Sequence, residues 1–291
     1  MDENNIISYG DLQIAGFEDL EIVYLSINHK VNEHTTMNLL LKIKNGDAAG
    51  YQDKIVQDNS IVILRNGKPA YFWLLGEHEL VQVDNVNYIN IKCVSLTYSM
   101  DIYPKSRSFK HTADMTYKDI QNIITDKEEY PKVSFADFVS NGRIIEQPII
   151  QFWETDWALL KRMAKQLNSF IVTSIRAEGP AYYLGIPNVD PVELKVSNYS
   201  EIRDYDAYKR ISIKMPGITP PECTIRQTEL PDIYELGQKT MFNGVECYLG
   251  ESVFTYQESY IRNLCRYFHE KGLSALDAFD KCMRVRENYT R

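Results

Sequence analysis

Gln151-Phe152-Trp153-Glu154-Thr155-Asp156-Trp157-Ala158-Leu159-Leu160-Lys161-Arg162-Met163-Ala164 is the stretch on which the fold turns. The apolar and aromatic run from Ile149 to Trp153 predicts a strand. Thr155 is suited to cap a helix, and Asp156 falls in the first turn, where the helix dipole favours negative charge. Trp157, Leu160, Ala164 and Leu167 then recur three and four apart, which lines one face of a helix with apolar side chains. A strand is therefore expected to pass directly into a helix.

Outward from this unit, Thr116-Tyr117-Lys118-Asp119 places a hydroxyl and a carboxylate three apart before Ile120, Ile123 and Ile124, predicting a short capped helix. Pro131, Gly142 and Pro148 punctuate the stretch from Glu128 to Pro148, which reads as loop and short extended pieces. Beyond the helix, Phe170 to Ile175 and Tyr182 to Ile186 flank Ala177-Glu178-Gly179-Pro180 as a hairpin. Residues 106–191 are expected to form an inserted α/β region.

The flanks read as strands. Residues 1–105 are expected to form a first β domain, in which Val23, Leu25 and Ile27 alternate with Tyr24, Ser26 and Asn28. Met37, Leu39, Leu41 and Ile43 alternate with Asn38, Lys42 and Lys44, and period two means one buried face. Ser60 to Arg65, Asn66-Gly67 and Ala70 to Leu75 predict a hairpin, with Gly76 closing the run. Tyr88 to Tyr98 carries Ile89, Ile91 and Cys93 on one face, and Pro104 ends the block. Residues 192–269 are expected to form a second β block. There Phe242-Asn243-Gly244 and Tyr248-Leu249-Gly250-Glu251 echo Arg65-Asn66-Gly67 and Leu74-Leu75-Gly76-Glu77. The echo is either a repeated β unit or the common grammar of Asn-Gly hairpins. Ser274, Asp277, Ala278, Phe279, Cys282 and Val285 predict a helical tail over 270–291, with Lys281, Arg284, Arg286 and Arg291 on a solvated face.

The chain has 291 residues, 44% apolar and 25% charged, with 12% aromatic, which suits folded domains with real cores and excludes a collagen-like or disordered chain. A formal net charge of −8 disfavours general or specific nucleic-acid binding. No run of roughly 18 to 20 apolar residues is present to cross a membrane as a helix. The acidic, polar start Met1-Asp2-Glu3-Asn4-Asn5 is unlike a secretory leader, so the chain is expected to be made and kept in a cytosol. The five cysteines, Cys93, Cys223, Cys247, Cys265 and Cys282, are dispersed without a C-x-x-C pair and read as reduced core thiols.

Motifs that carry catalysis are sparse. There is no G-x-S-x-G turn, phosphate loop, G-x-G-x-x-G or H-E-x-x-H; His78-Glu79 has no second histidine after it. His29, Glu33 and His34 are the nearest approach to a metal set, but an exposed polar turn is the preferred reading. Asp204 with Asp206, and Glu128 with Glu129, are candidate acid–base pairs by adjacency alone. The expectation is no catalytic residue, no metal site and no cofactor. The 20 tyrosines suit half-buried strands and subunit contacts more than a sugar-stacking cleft.

The stretch from Gln151 to Ala164 resembles the strand-then-helix signature of contractile-injection and phage baseplate hub proteins. In that signature an aromatic and acidic pair precedes Thr or Ser, Asp, an aromatic and "LLxRLA". The family comprises valine-glycine-repeat spike-hub proteins of type VI secretion, phage late control D proteins and the T-even phage baseplate hub. The order of parts also matches from about Phe17 to about Phe268. Gln166, Leu167, Asn168 and Ser169 depart from the family's acidic residue and glycine after the helix, so a different helix exit is expected.

The resemblance implies an α+β, mostly β fold: two tube-like antiparallel β units with an inserted α/β region, trimerising into a pseudo-sixfold ring. It implies a structural, non-enzymatic hub of a phage virion tail or phage tail-like contractile particle, assembled in a bacterial cytoplasm. The partners implied are two more copies of the chain, a hexameric tail tube protein, a spike protein and other baseplate proteins. Many relatives continue into a barrel and spike, and this chain ends at Arg291, so a separate spike protein is expected. Two rival readings are the hub or tip domain of a non-contractile phage tail, and a carbohydrate-active enzyme or sugar-binding module.

Overall fold

A computed structural model describes residues 7–8, 10–43, 50–51, 53–55, 59–110, 113–126, 128, 130, 133–187, 198–257 and 260–274. The chain runs through β1 (Leu12–Ile14), β2 (Glu21–Lys30), β3 (Thr36–Ile43), β4 (Ser60–Arg65), β5 (Lys68–Val83) and β6 (Val86–Ser95), then a 3-10 turn at Leu96–Asp101. The middle holds β7 (Lys105–Phe109), α1 (Tyr117–Ile124), β8 (Ser134–Asp137), β9 (Ile149–Glu154), α2 (Asp156–Gln166), β10 (Ile171–Ser174) and β11 (Ala181–Leu184). There follow β12 (Ser200–Arg203), α3 (Tyr205–Lys214), a 3-10 turn at Pro220–Cys223, β13 (Thr224–Leu230), β14 (Lys239–Phe242), β15 (Val245–Gln257), β16 (Tyr260–Phe268) and α4 (Glu270–Ser274). Past Ser274, the helix expected to run to Val285, with Cys282 and the basic residues of the tail, lies outside the described residues, as does Glu129.

The architecture is mostly β, with one large antiparallel sheet. Its strand order is β1-β4-β5-β6-β3-β2-β15-β16-β13-β12, with β14 added on β15. Two strand sets within it have the same order: β4-β5-β6-β3-β2 and β14-β15-β16-β13-β12. They meet where β15 pairs antiparallel with β2, Thr255 opposite Ser26. Two small sheets, β10-β11-β8 and β7-β9, belong to the middle region.

Local chemistry accounts for most of these strands. In β3, Met37, Leu39, Leu41 and Ile43 are all buried, as period two requires. Asn66-Gly67 and Asn243-Gly244 turn the β4–β5 and β14–β15 hairpins with both residues at positive φ, which Asn and Gly tolerate best.

Three sequence expectations need correction. In β2 the register shifts between Ile22 and Tyr24, so the bulge at Val23 puts Ile22 in the core instead of Val23. Gly76 does not close its strand: β5 continues to Val83 through a bulge between Leu75 and Glu77, where a Cβ on Gly76 would lie 3.0 Å from the Lys92 carbonyl oxygen. The third concerns the second β block, which is interrupted by α3: Asp204 caps the helix, and only Ala207 and Ile211 of it are buried, so its apolar signal is weak.

Among the described residues the buried apolar side chains gather in three cores. The first gathers β1 to β6, and Phe254 and Tyr256 of β15 enter it from the other strand set. The second lies under β13 to β16 with α3 and α4. The third packs Trp157, Leu160 and Met163 of α2 against Phe109 of β7, Ile120 and Ile124 of α1, and Tyr182 of β11. Arg65 of the first set bonds both carboxylate oxygens of Asp232, at 2.9 and 3.0 Å, adding a polar tie between the sets.

Candidate functional site

Strand β9 pairs antiparallel with β7, Lys105 opposite Glu154 and Arg107 opposite Gln151. Ile149 and Gln151 are buried beneath this ribbon, while Ile150 and Phe152 are 60% and 81% exposed. Strict alternation would return Trp153 to the buried face. Instead its φ of +49° turns the backbone into the left-handed region, and the indole is left 76% exposed. Tyr103, just before β7, is 72% exposed as well. Large aromatics displayed this way mark a surface for association.

The polar residues of the same stretch hold that surface in place. Thr155 caps α2, its hydroxyl accepting from the Ala158 amide at 3.1 Å. Asp156 is fully buried at the helix start, where Lys105 Nζ donates to it at 2.8 Å, Tyr130 Oη at 2.9 Å and Gln151 Nε2 at 2.9 Å. Arg107 completes the set. Burial alone would raise the Asp156 carboxyl; the hydrogen bonds from Lys105 and Gln151 and the charge of Arg107 outweigh it and hold the group below its ordinary range. It is an ionised strut between ribbon and helix, unsuited to act as a general acid. Glu154 receives two bonds from Arg162, at 3.0 and 2.8 Å, and Arg162 also donates to the Ile150 carbonyl at 2.7 Å.

Trp157 lies under the helix, 1% exposed. The His34 ring lies 4.3 Å from it, and Tyr182 meets it edge-on at 6.4 Å.

The residues weighed as candidate sites serve structure. His29 Nε2 bonds the Thr173 carbonyl at 3.1 Å, Glu33 pairs with Lys161 at 3.7 Å, and His34 Nδ1 bonds Thr97 Oγ1 at 2.9 Å. Each engages a different neighbour, and among the described residues no three His, Cys, Asp or Glu cluster as metal ligands. Asp204 is the N-cap of α3, accepting from the amides of Asp206 and Ala207 at 3.0 Å. Glu79 accepts from Asn90 at 2.7 Å. Cys93, Cys223, Cys247 and Cys265 are buried free thiols, and burial pushes Cys93 up to about 12. The exposed pair Phe152 and Trp153 was the feature hardest to read in advance; two successive aromatics at the end of a two-period strand are its only local signal.

Buried histidines give the fold an acid limit. Burial lowers His29 and His34 to about 4, below the 6.5 of an exposed imidazole. Between these values the unfolded chain takes up protons that the folded chain refuses, so their stabilisation is complete above pH 6.5 and is lost as pH falls toward 4. Urea midpoints measured across this range are expected to be flat above neutrality and to fall below it. His29 alone accounts for about 3 kcal/mol at the lower end, and His29→Gln is expected to flatten that part of the profile.

No protein-family model matches the chain, and no curated protein matches it by sequence. Solved structures do. The 43 kDa tail protein of prophage MuSo2 from Shewanella oneidensis superposes with a TM-score of 0.63 at 9% identity, over 90% of this chain and 99% of the other. A tail protein from Neisseria meningitidis MC58 gives 0.64 at 10% identity, over 91% and 98%. The E. coli c3393 protein gives 0.63 at 7% identity, over 89% and 76%; it is described as a type VI secretion component with structural similarity to the T4 bacteriophage tail proteins gp27 and gp5. At such identities it is the fold that is shared, and it is shared along nearly the whole chain.

Proposed function

We propose, from a fold held in common with phage tail proteins and a type VI secretion component, that this chain is a structural, non-catalytic baseplate hub. In this reading it forms a homotrimer that joins a hexameric tail tube to a separate trimeric spike, in a phage tail or phage tail-like contractile particle. Residues 1–105 and 192–269 supply two tube-like β domains, 106–191 the inserted region, and 270–291 a helical tail. The supporting observation is the repeated strand order, β4-β5-β6-β3-β2 and β14-β15-β16-β13-β12, within one chain. Three copies of a two-unit chain offer six similar units to a sixfold tube while keeping a threefold axis for a spike.

The exposed ribbon aromatics suit a contact with another baseplate protein. Phe152→Glu with Trp153→Glu is expected to leave the thermal midpoint within a few degrees of the parent, since both side chains are exposed, and to abolish co-purification with tube or spike. Retained co-purification would remove the ribbon from the interface. Solution mass is the primary test: trimers, alone or with tube and spike proteins, are expected. A lone monomer that ignores both partners overturns the hub reading.

A further inference from the structure

The two strand sets are duplicates at the level of individual positions. Glu77, just past the Gly76 bulge, lies opposite Lys92 and pairs with it at 2.8 Å. Glu251, just past the Gly250 irregularity, lies opposite Arg266 and pairs with it at 3.0 Å. Lys92 is opposite Asn38, and Asn38 opposite Ser26. Arg266 is opposite Gln227, and Gln227 opposite Ser200. Ser26 on β2 and Ser200 on β12 thus hold the same place in the two sets.

The sets differ in what covers their edges. The far half of β15, past Gly250, has β16 on one side and β2 on the other, with Thr255 opposite Ser26. The far half of β5, past Gly76, has β6 on one side; on the other, β4 reaches only to the Ser60–Leu74 pair, and no described strand follows it. β12, the counterpart of β2, ends the sheet. Phe254 is 1% exposed against β2, whereas Leu80, in the same place on β5, is 39% exposed. Among the described residues these two edges are unpaired, and they are the counterparts of the two edges that close the chain on itself.

Resting on the trimeric reading above, we infer that the far half of β5 in one protomer pairs antiparallel with β12 of the next copy. Val81 follows Glu77 by the same interval as Thr255 follows Glu251, so Val81 lies opposite Ser200 in the joint. A second copy fits this edge because the first chain already makes the same joint internally. Three internal and three intermolecular joints then alternate around one closed ring, leaving neither edge exposed.

Val81→Cys with Ser200→Cys tests the register, because residues directly opposite in antiparallel strands come within disulfide reach. The four described native thiols are buried and give little background. Mild oxidation of the double variant is expected to yield covalently closed trimers on non-reducing gels, and neither single variant is expected to do so. Solution mass of the parent chain is measured separately. Trimers that fail to cross-link overturn this joint and leave the trimeric reading standing; a monomeric parent overturns both. Leu80→Lys, at a half-exposed position, is expected to keep the monomer's melting point and lose the trimer. A Leu80→Lys trimer of parental stability counts against the joint, as does cross-linking of β5 to a tube protein in place of β12.

Discussion

Trp157→Ala is expected to reduce the free energy of unfolding by about 3 to 5 kcal/mol, the range for truncating a large buried aromatic. The indole is 1% exposed and sits in the third core with Leu160, Met163 and Tyr182, so no solvent-facing neighbour is free to collapse into the space. Its loss also uncovers the His34 ring that lies 4.3 Å away, and with less burial that imidazole is expected to titrate closer to 6.5. Chemical denaturation with a retained m-value checks the first effect, and the histidine ring signals in NMR check the second. A loss under about 1 kcal/mol would place the indole outside the core.

Asp156→Ala is the second large effect. Removing the carboxylate takes from Lys105 and Arg107, whose side chains are only 22% and 23% exposed, the fully buried counter-charge to which both are paired. Breaking a buried ion pair by removing one partner costs about 3 to 5 kcal/mol, and the partial exposure of the two cations favours the lower end. Asp156→Asn keeps the shape and one acceptor and is expected to fall between. Because the folded carboxyl is held below its unfolded value, its contribution is present at neutral pH and is lost as the solution is acidified through the carboxylate range. The parent and the Asp156→Ala variant are therefore expected to converge in stability at low pH. Persistence of the full difference there would assign the loss to packing and not to charge.

The two substitutions act on one piece of architecture. Trp157 seats α2 in its core, and Asp156 ties the β7–β9 ribbon to the start of that helix. The ribbon carries Phe152 and Trp153, so Asp156→Ala is expected to weaken partner binding as well as folding, whereas the exposed double substitution separates the two effects.

The candidate site was partly legible. Thr155 and Thr116 were readable as caps because a helix start is a local matter of three or four residues, and both caps are present. The sequence grouping of His29, Glu33 and His34 is not a cluster in space, because closeness in sequence says nothing of direction: the three turn to separate partners.

What the amino-acid sequence determined by itself is what short-range physics governs: the period-two faces of β3 and β6, the Asn-Gly turns at 66–67 and 243–244, and the capped helices at 117 and 156. Each depends on neighbours within one turn or one pleat. Only the tertiary structure decided the rest. Lys105-Ser106-Arg107-Ser108-Phe109 has little strand character and becomes β7 because β9 and Asp156 give its backbone and its cations partners some 45 residues away. Likewise Gly76 became a bulge and not a stop, and β15 met β2 across most of the chain's length. Such pairings belong to segments joined by long loops, and their energy comes from long-range backbone bonds and shared cores, which no local pattern encodes.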